Sequence, residues 1–423
     1  MPVTLEAYAL RRALMRMELA AARDAEGALR WLGWNGEGPL WLRRSDVQLY
    51  LWYQLPTKYL ASLEDKLATA EAFGRLLELL DVPYAKLCAA PETLALLERW
   101  ERDDRGARRE LGRLLDASGL EPPDTELLAW GSVMGLEEAQ AREDVATALE
   151  EALEAGDLEL GAPGFARRRN AVVDAVLAAD GRLDAIHAER LQRWRSRGPI
   201  RERVADTIAR PAPDFGDVGD AVAPARWLIE RGADGLALTQ TGALSRALVR
   251  EAVERWPGWW DTELFGAPNQ EAEIVPLQEL HHLLRRMRLL RRDGRRLVST
   301  ARARSMAPAA LLHACTTAWL AGETFEAVIG ELAAALLLAG DPVEIDVLAR
   351  QIHPVIVDEG WRAGAEPPSV HEIGTSINHV LAVAEPLGIV VGRGWTERRV
   401  TDVGRVALHV GLRARALGPQ RTL

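Results

Sequence analysis

Along most of this chain apolar residues recur at the three- and four-residue intervals of a helix face, and the places where that rhythm breaks are few. In SLEDKLATAEAFGRLLELL, starting at Ser62, the residues Leu63, Leu67, Ala70, Phe73 and Leu77 share one face, Ser62 to Asp65 has the form of an N-cap, and Asp81-Val82-Pro83 ends the run. Pro91 then opens a charge-laced helical stretch that Gly119 and Pro122-Pro123 close. Residues 137–159 hold nine carboxylates against Arg142, the pattern of a solvated helix face. Two or three further helices are expected over 162–209. RPAPDFGDVGDAVAP, residues 210–224, breaks every period and is the expected linker.

Beyond it the pattern turns to helix, helix, hairpin. ALSRALVREAVERW places Leu244, Leu248, Val249, Ala252, Val253 and Trp256 on one face. LQELHHLLRRMRLL follows, with Leu277, Leu280, Leu284 and Met287 expected inside and Gln278, His281, His282, Arg285 and Arg288 outside. Asp293-Gly294 between Leu289-Leu290 and Leu297-Val298 predicts a hairpin with a type I′ turn. The order recurs near the C-terminus: Ser369 to Glu372 is a capping box before an apolar helix face, and two β-rich arms surround Gly392-Arg393-Gly394. RRLVSTARARSM and RRVTDVGRVALH read as copies of one strand-to-helix passage, a weak internal repeat. Between them lie two apolar helices over 308–339 and another beginning at Asp341-Pro342 and kinked near Pro354.

The expected fold is therefore mainly α: a helical N-terminal region over 1–209, a linker over 210–224, a first winged-helix-like unit over 225–307, a helical connector over 308–360 and a second winged-helix-like unit over 361–423.

Composition narrows the function classes. A 423-residue chain that is 48% hydrophobic and 27% charged has the balance of folded globular domains. No apolar run approaches the length of a membrane span, so no membrane partner is expected. Cys88 and Cys315 match no redox or metal spacing, which fits the cytoplasm and excludes a disulfide framework. His371 and His379 are eight residues apart, roughly 12 Å along a helix, too far to share an ion, and His281-His282 diverge by about 100°. Ser132 in WGSVMG lacks the spacing of a nucleophile elbow, and no phosphate-cradling loop is present. No catalytic residue, metal or cofactor is expected. The 14 tryptophans, clustered at 31–52 and 256–260, are expected in cores and interfaces.

Three stretches, GLEPPDTELLAWGSVMGLEEAQAREDVATALEEALEAGDLELG (119–161), ADGLALTQTGALSRALVREAVERWPGWW (233–260) and LLRRDGRRLVSTARARS (289–305), resemble an uncharacterised family of proteins from high-GC Gram-positive bacteria. Some of its members are described as similar to a Ri-plasmid open-reading-frame-three product. The resemblance implies no reaction, ligand or site residue.

One contrast points to chemistry. Residues 285–305 carry nine arginines against Asp293 alone, in a chain of net charge −10. Arginine's planar fork suits phosphate oxygens and guanine edges. The expected interface is Gln278, His281, His282, Arg285 and Arg288 on a groove-entering helix with Arg291, Arg292, Arg295 and Arg296 on the wing, and DNA is the expected partner. The alternatives are a hairpin edge blunted by charge, an internal pairing with the acidic stretch 137–159, and a scaffold or small-ligand sensor whose winged helices dock a protein.

Overall fold

The computed structural model describes residues 3–340, 343–392 and 397–420. They divide into two compact units, Met1–Ile186 and His187–Leu423.

The first unit begins with strand β1 (Val3–Leu5), helices α1 (Ala7–Leu14) and α2 (Leu19–Trp31), and strand β2 (Leu40–Leu42), which pairs antiparallel with β1. Helix α3 (Leu63–Leu79) starts at the expected N-cap, which proves to be a full capping box: the Asp65 amide donates to Ser62 Oγ at 3.2 Å, and Ser62 N–H to Asp65 Oδ2 at 3.3 Å. The stretch opened by Pro91 is two helices, α4 (Pro91–Arg102) and α5 (Asp104–Ser118). Asp103 interrupts it because its carboxylate accepts the Gly106 amide at 2.9 Å and caps a new helix. Gly119 ends α5 with φ 72°, as its position implied. Helices α6 (Leu136–Glu154) and α7 (Phe165–Ala178) pack around Val145, Leu149 and Val173.

The break between units falls within helix α8 (Arg182–Arg195), upstream of the expected linker. Helix α9 (Pro199–Ala209) buries Ile200, Val204 and Ile208 in the same core as everything that follows, so residues 210–218 form a loop inside the second unit.

That unit holds two modules of one design. The first runs α10 (Gly219–Arg231), β3 (Leu236–Ala237), α11 (Arg246–Arg255), α12 (Val275–Arg286), β4 (Leu290–Asp293) and β5 (Arg296–Ser299), with strand order β3-β5-β4. After α13 (Pro308–Leu320), the second runs α14 (Phe325–Ala339), β6 (Val343–Glu344), α15 (Ile345–Asp358), α16 (Val370–Ala384), β7 (Val390–Val391) and β8 (Glu397–Val400), with order β6-β8-β7, and ends in α17 (Asp402–Leu417). Residues expected as a connector thus supply the second module's first two helices. Val343-Glu344, expected within a helix, is a strand because it pairs with Arg398-Glu397. The expected turn at Gly392-Arg393-Gly394 lies partly outside the described residues.

The likeness reaches single hydrogen bonds. Leu289 N–H donates to Leu284 O at 2.9 Å and Ile389 N–H to Ala384 O at 3.0 Å. Thr300 and Thr401 donate their amides to Leu289 O and Ile389 O, and each hydroxyl caps the next helix by accepting the Ala303 or Gly404 amide. Ile377, Val380 and Ala384 are buried on α16 as Leu277, Leu280 and Leu284 are on α12.

A buried ionic cluster ties α8 and α9 to the second module. Glu331 on α14 accepts hydrogen bonds from Trp194 Nε1 at 2.8 Å and from the Arg201 and Arg415 guanidiniums. Arg201 also meets Glu359 at 2.8 Å. Burial raises the Glu331 pKa, but Arg415 and Arg201 outweigh it and hold the carboxyl below the usual range.

Candidate nucleic-acid interface

Pro276 in the first turn starts α12, and Leu277, Leu280, Leu283 and Leu284 bury one side of it. Outside, Gln278 is half-buried and His282 and Arg285 are exposed, as expected.

His281 is not. It is 1% exposed, and its Nδ1 lies 2.6 Å from Glu271 Oε1. Residues 277, 280, 281 and 284 form the i, i+3, i+4, i+7 stripe that faces a core, so position 281 points inward whatever residue occupies it. Glu271, whose other oxygen accepts the Leu244 amide at 2.6 Å, partners the Nδ1 side of the imidazole, while Nε2 is buried without a hydrogen-bond partner.

Arg288 also differs from expectation. It lies past the end of α12, with φ 55°, and its amide donates to Arg285 O at 2.9 Å. Together with the Leu289 bond to Leu284 this is a Schellman closure, whose left-handed position is usually glycine. Arg288 is therefore the pivot between helix and hairpin rather than part of a groove-facing helix, and its side chain is exposed.

The hairpin forms, one residue out of the expected phase. Asp293 pairs with Arg296, so Gly294-Arg295 is the two-residue loop. Only Gly294 has positive φ, at 59°, the pattern of a type II′ turn with glycine first. The expected phase would set Arg292 directly across from Arg295, whereas the observed register sets opposite charges across from each other. Arg291, Arg292, Arg295 and Arg296 are all exposed, and Arg292 Nε donates to Gly294 O at 2.9 Å.

Among the described residues of this unit, no carboxylate comes within ion-pair range of Arg285, Arg288, Arg291, Arg292, Arg295 or Arg296. Two other arginines of the cluster serve the fold: Arg286 donates to Ala318 O at 2.8 Å and Arg304 to Ser299 O at 2.7 Å.

Gln278, His282 and Arg285 line a polar cavity of about 620 Å³ together with Thr239, Thr241, Arg246 and Asn269, none of which the sequence reading singled out. Thr239 Oγ1 accepts the Ala243 amide at 3.1 Å and lies 3.0 Å from Thr241 Oγ1, which shapes the turn before α11. Ser245 at the start of α11 makes no side-chain cap, so the first-turn amides of that helix remain uncapped by it. Guanidinium, imidazole, amide and hydroxyl groups converging beside a helix start suit anionic oxygens. Among the described residues Glu271 is the one carboxylate lining the cavity, and it is engaged by His281 and Leu244. The TQTG sequence preceding a helix was the available signal for this turn.

The matching face of the second module has Asn378, Ala382 and Glu385, all half-buried. Across a cavity of about 380 Å³ they look onto Trp259, Val275 and Pro276 of the first module. Arg398, 3% exposed, replaces Leu297 in the middle strand and donates to Asn378 Oδ1 at 2.6 Å. His371 and His379 are exposed on α16, and His379 Nε2 lies 3.7 Å from Glu279.

Among known sequences, the family described as the Y4jL N-terminal domain matches residues 224–311. This likeness runs from within α10 to within α13 and so covers the first module. No curated protein matches the chain, and neither does any solved structure.

Proposed function

We propose that the first module binds nucleic acid, with DNA as the expected partner, in the manner of a winged helix. In this reading α12 presents Gln278, His282 and Arg285 to a groove, and β4 and β5 form a wing whose arginines grip the backbone. The observation that carries it is the exposure of six arginines, from Arg285 to Arg296, with no carboxylate of their unit within ion-pair range among the described residues, in a chain of net charge −10. Thr239, Thr241 and Arg246 extend that surface, and a phosphate is the group their cavity suits.

Filter-binding titrations with duplex and single-stranded DNA at several salt concentrations test the reading. Each phosphate-contacting arginine changed to Ala flattens the dependence of log K on log salt by about one unit. Arg285→Ala, at a base contact, costs about 1–3 kcal/mol and relaxes sequence preference. No binding to either form at low salt overturns it.

A second reading, a scaffold that docks a protein, rests on the second module, whose corresponding face looks onto protein. Under it the arginine variants leave any DNA binding unchanged and weaken capture of an acidic protein partner.

A further inference from the structure

In the first unit, α3 faces the segment Ala85–Ala89 and the start of α4 across an open groove of about 1120 Å³, above the size range of most small-molecule sites. Its apolar surface includes Leu67, Leu79 and Leu94, and its α3 wall carries Glu64, Glu71 and Glu78 at seven-residue intervals. Successive glutamates are roughly 10.5 Å apart along the helix, a spacing that faces a neighbouring helix along its length. Among the described residues no cation pairs with any of the three. Arg75 stands between Glu71 and Glu78 on the same wall and Lys86 on the other, so three carboxylates face two cations in the groove.

The same unit displays a surface of complementary character. On α1, the turn after it and the first residue of α2, three large apolar groups are exposed: Tyr8 at 75%, Met15 at 78% and Leu19 at 70%. Arg12 and Arg16 flank them, exposed and without a partner among the described residues, whereas Arg11 is held by Gly36 O at 2.6 Å. An apolar stripe edged by arginine fits an apolar groove edged by glutamate in both terms.

We propose that a second copy of this chain docks here: the Tyr8–Met15 face of one copy lies in the α3–α4 groove of the next, with Arg12 and Arg16 toward Glu64, Glu71 and Glu78. Tyr8 and Met15 are exposed in the chain that carries them, so they do not fill its own groove. Because the two surfaces differ, the contact is head-to-tail. It is independent of the nucleic-acid reading.

Sedimentation of the full chain over a range of concentrations tests this. The wild type self-associates, more weakly as salt rises. Tyr8→Glu with Met15→Glu, and separately Glu71→Lys with Glu78→Lys, each weaken association at least about tenfold, since like charges then oppose. All four positions lie outside the core, and unchanged melting curves confirm that each variant folds. The deciding measurement mixes the two variants: each supplies the surface the other lacks, so the mixture forms one-to-one dimers that neither variant forms alone. A wild type that stays monomeric overturns the proposal. So does association that survives the groove substitutions, or a mixture without rescue, either of which assigns the contact to other surfaces.

Discussion

Where α12 passes into its hairpin the first module holds Arg288 at φ 55°, and where α16 does the same the second holds Gly388 at φ 62°. At the inward i+4 position of those helices the first has His281 and the second Leu381. On the outer faces Gln278, His282 and Arg285 correspond to Asn378, Ala382 and Glu385. The chain path is shared to the hydrogen bond, so these differences isolate what each module does with equivalent positions. At the pivot and at the inward helix position the first keeps a strained or polar group where the second has the residue that local physics prefers. In the middle strand it is the second that buries a charge, Arg398 in place of Leu297. The first module's outer face is open and cationic. The second turns the same face toward its neighbour. Departures from the locally favoured residue at the pivot and the inward position, with path held constant, fit the proposal that the first module's surface is kept for a partner.

The largest expected effect belongs to the second module alone. Glu331→Ala leaves Arg201 and Arg415 without their shared carboxylate and should cost about 3–5 kcal/mol in urea unfolding. A loss under about 1 kcal/mol would remove Glu331 as the tie between α9, α14 and α17. The pH dependence follows from its depressed pKa. The contribution is complete above about pH 5 and is lost as pH falls through the lower folded-state value, so the gap between wild type and Glu331→Gln should narrow in acid.

His281→Leu imitates the second module but strands the buried Glu271, and should destabilise by about 1–3 kcal/mol. The double change with Glu271→Leu still leaves the Leu244 amide without its acceptor, and should recover only part of the loss. Full recovery would mean that the His–Glu pair is interchangeable with apolar packing.

Exchanging the pivots comes next. Arg288→Gly should stabilise by about 1 kcal/mol or less, by relieving a left-handed non-glycine residue. Gly388→Ala should destabilise, because its Cβ would lie 3.0 Å from Ala221 as well as at positive φ. Melting curves of the pair measure both signs, and matching signs would break the equivalence of the two positions.

Smallest in stability are Arg291, Arg292, Arg295 and Arg296 changed to Ala, each within about 0.5 kcal/mol. A larger loss in melting experiments would favour internal pairing of the hairpin over an open wing.

Much of this was legible in the sequence. The N-cap at Ser62, the capping box at Ser369, the helix breaks at Asp81 and Gly119, the hairpin at 290–299 and the outward Gln278, His282 and Arg285 follow from local pattern. What escaped depends on distant or very short features. Glu271, ten residues from His281, decides that an imidazole can be buried. Strands β3 and β6 are two residues each, too short to show alternation, yet they complete the sheets and move the second module's start to Phe325. Glu331 lies in an apolar run and looks like an exposed helix residue until Arg201 and Arg415, 130 residues before it and 84 after, converge on it.

The turned-in face of the second module also sets a stoichiometry. The chain carries two modules with one path, but Asn378, Ala382 and Glu385 look onto Trp259, Val275 and Pro276, so of the two equivalent faces the first module's is the one turned outward. A symmetric target with two equivalent half-sites would therefore gather two chains instead of being spanned by one, and titration to saturation on such a target would end at two equivalents.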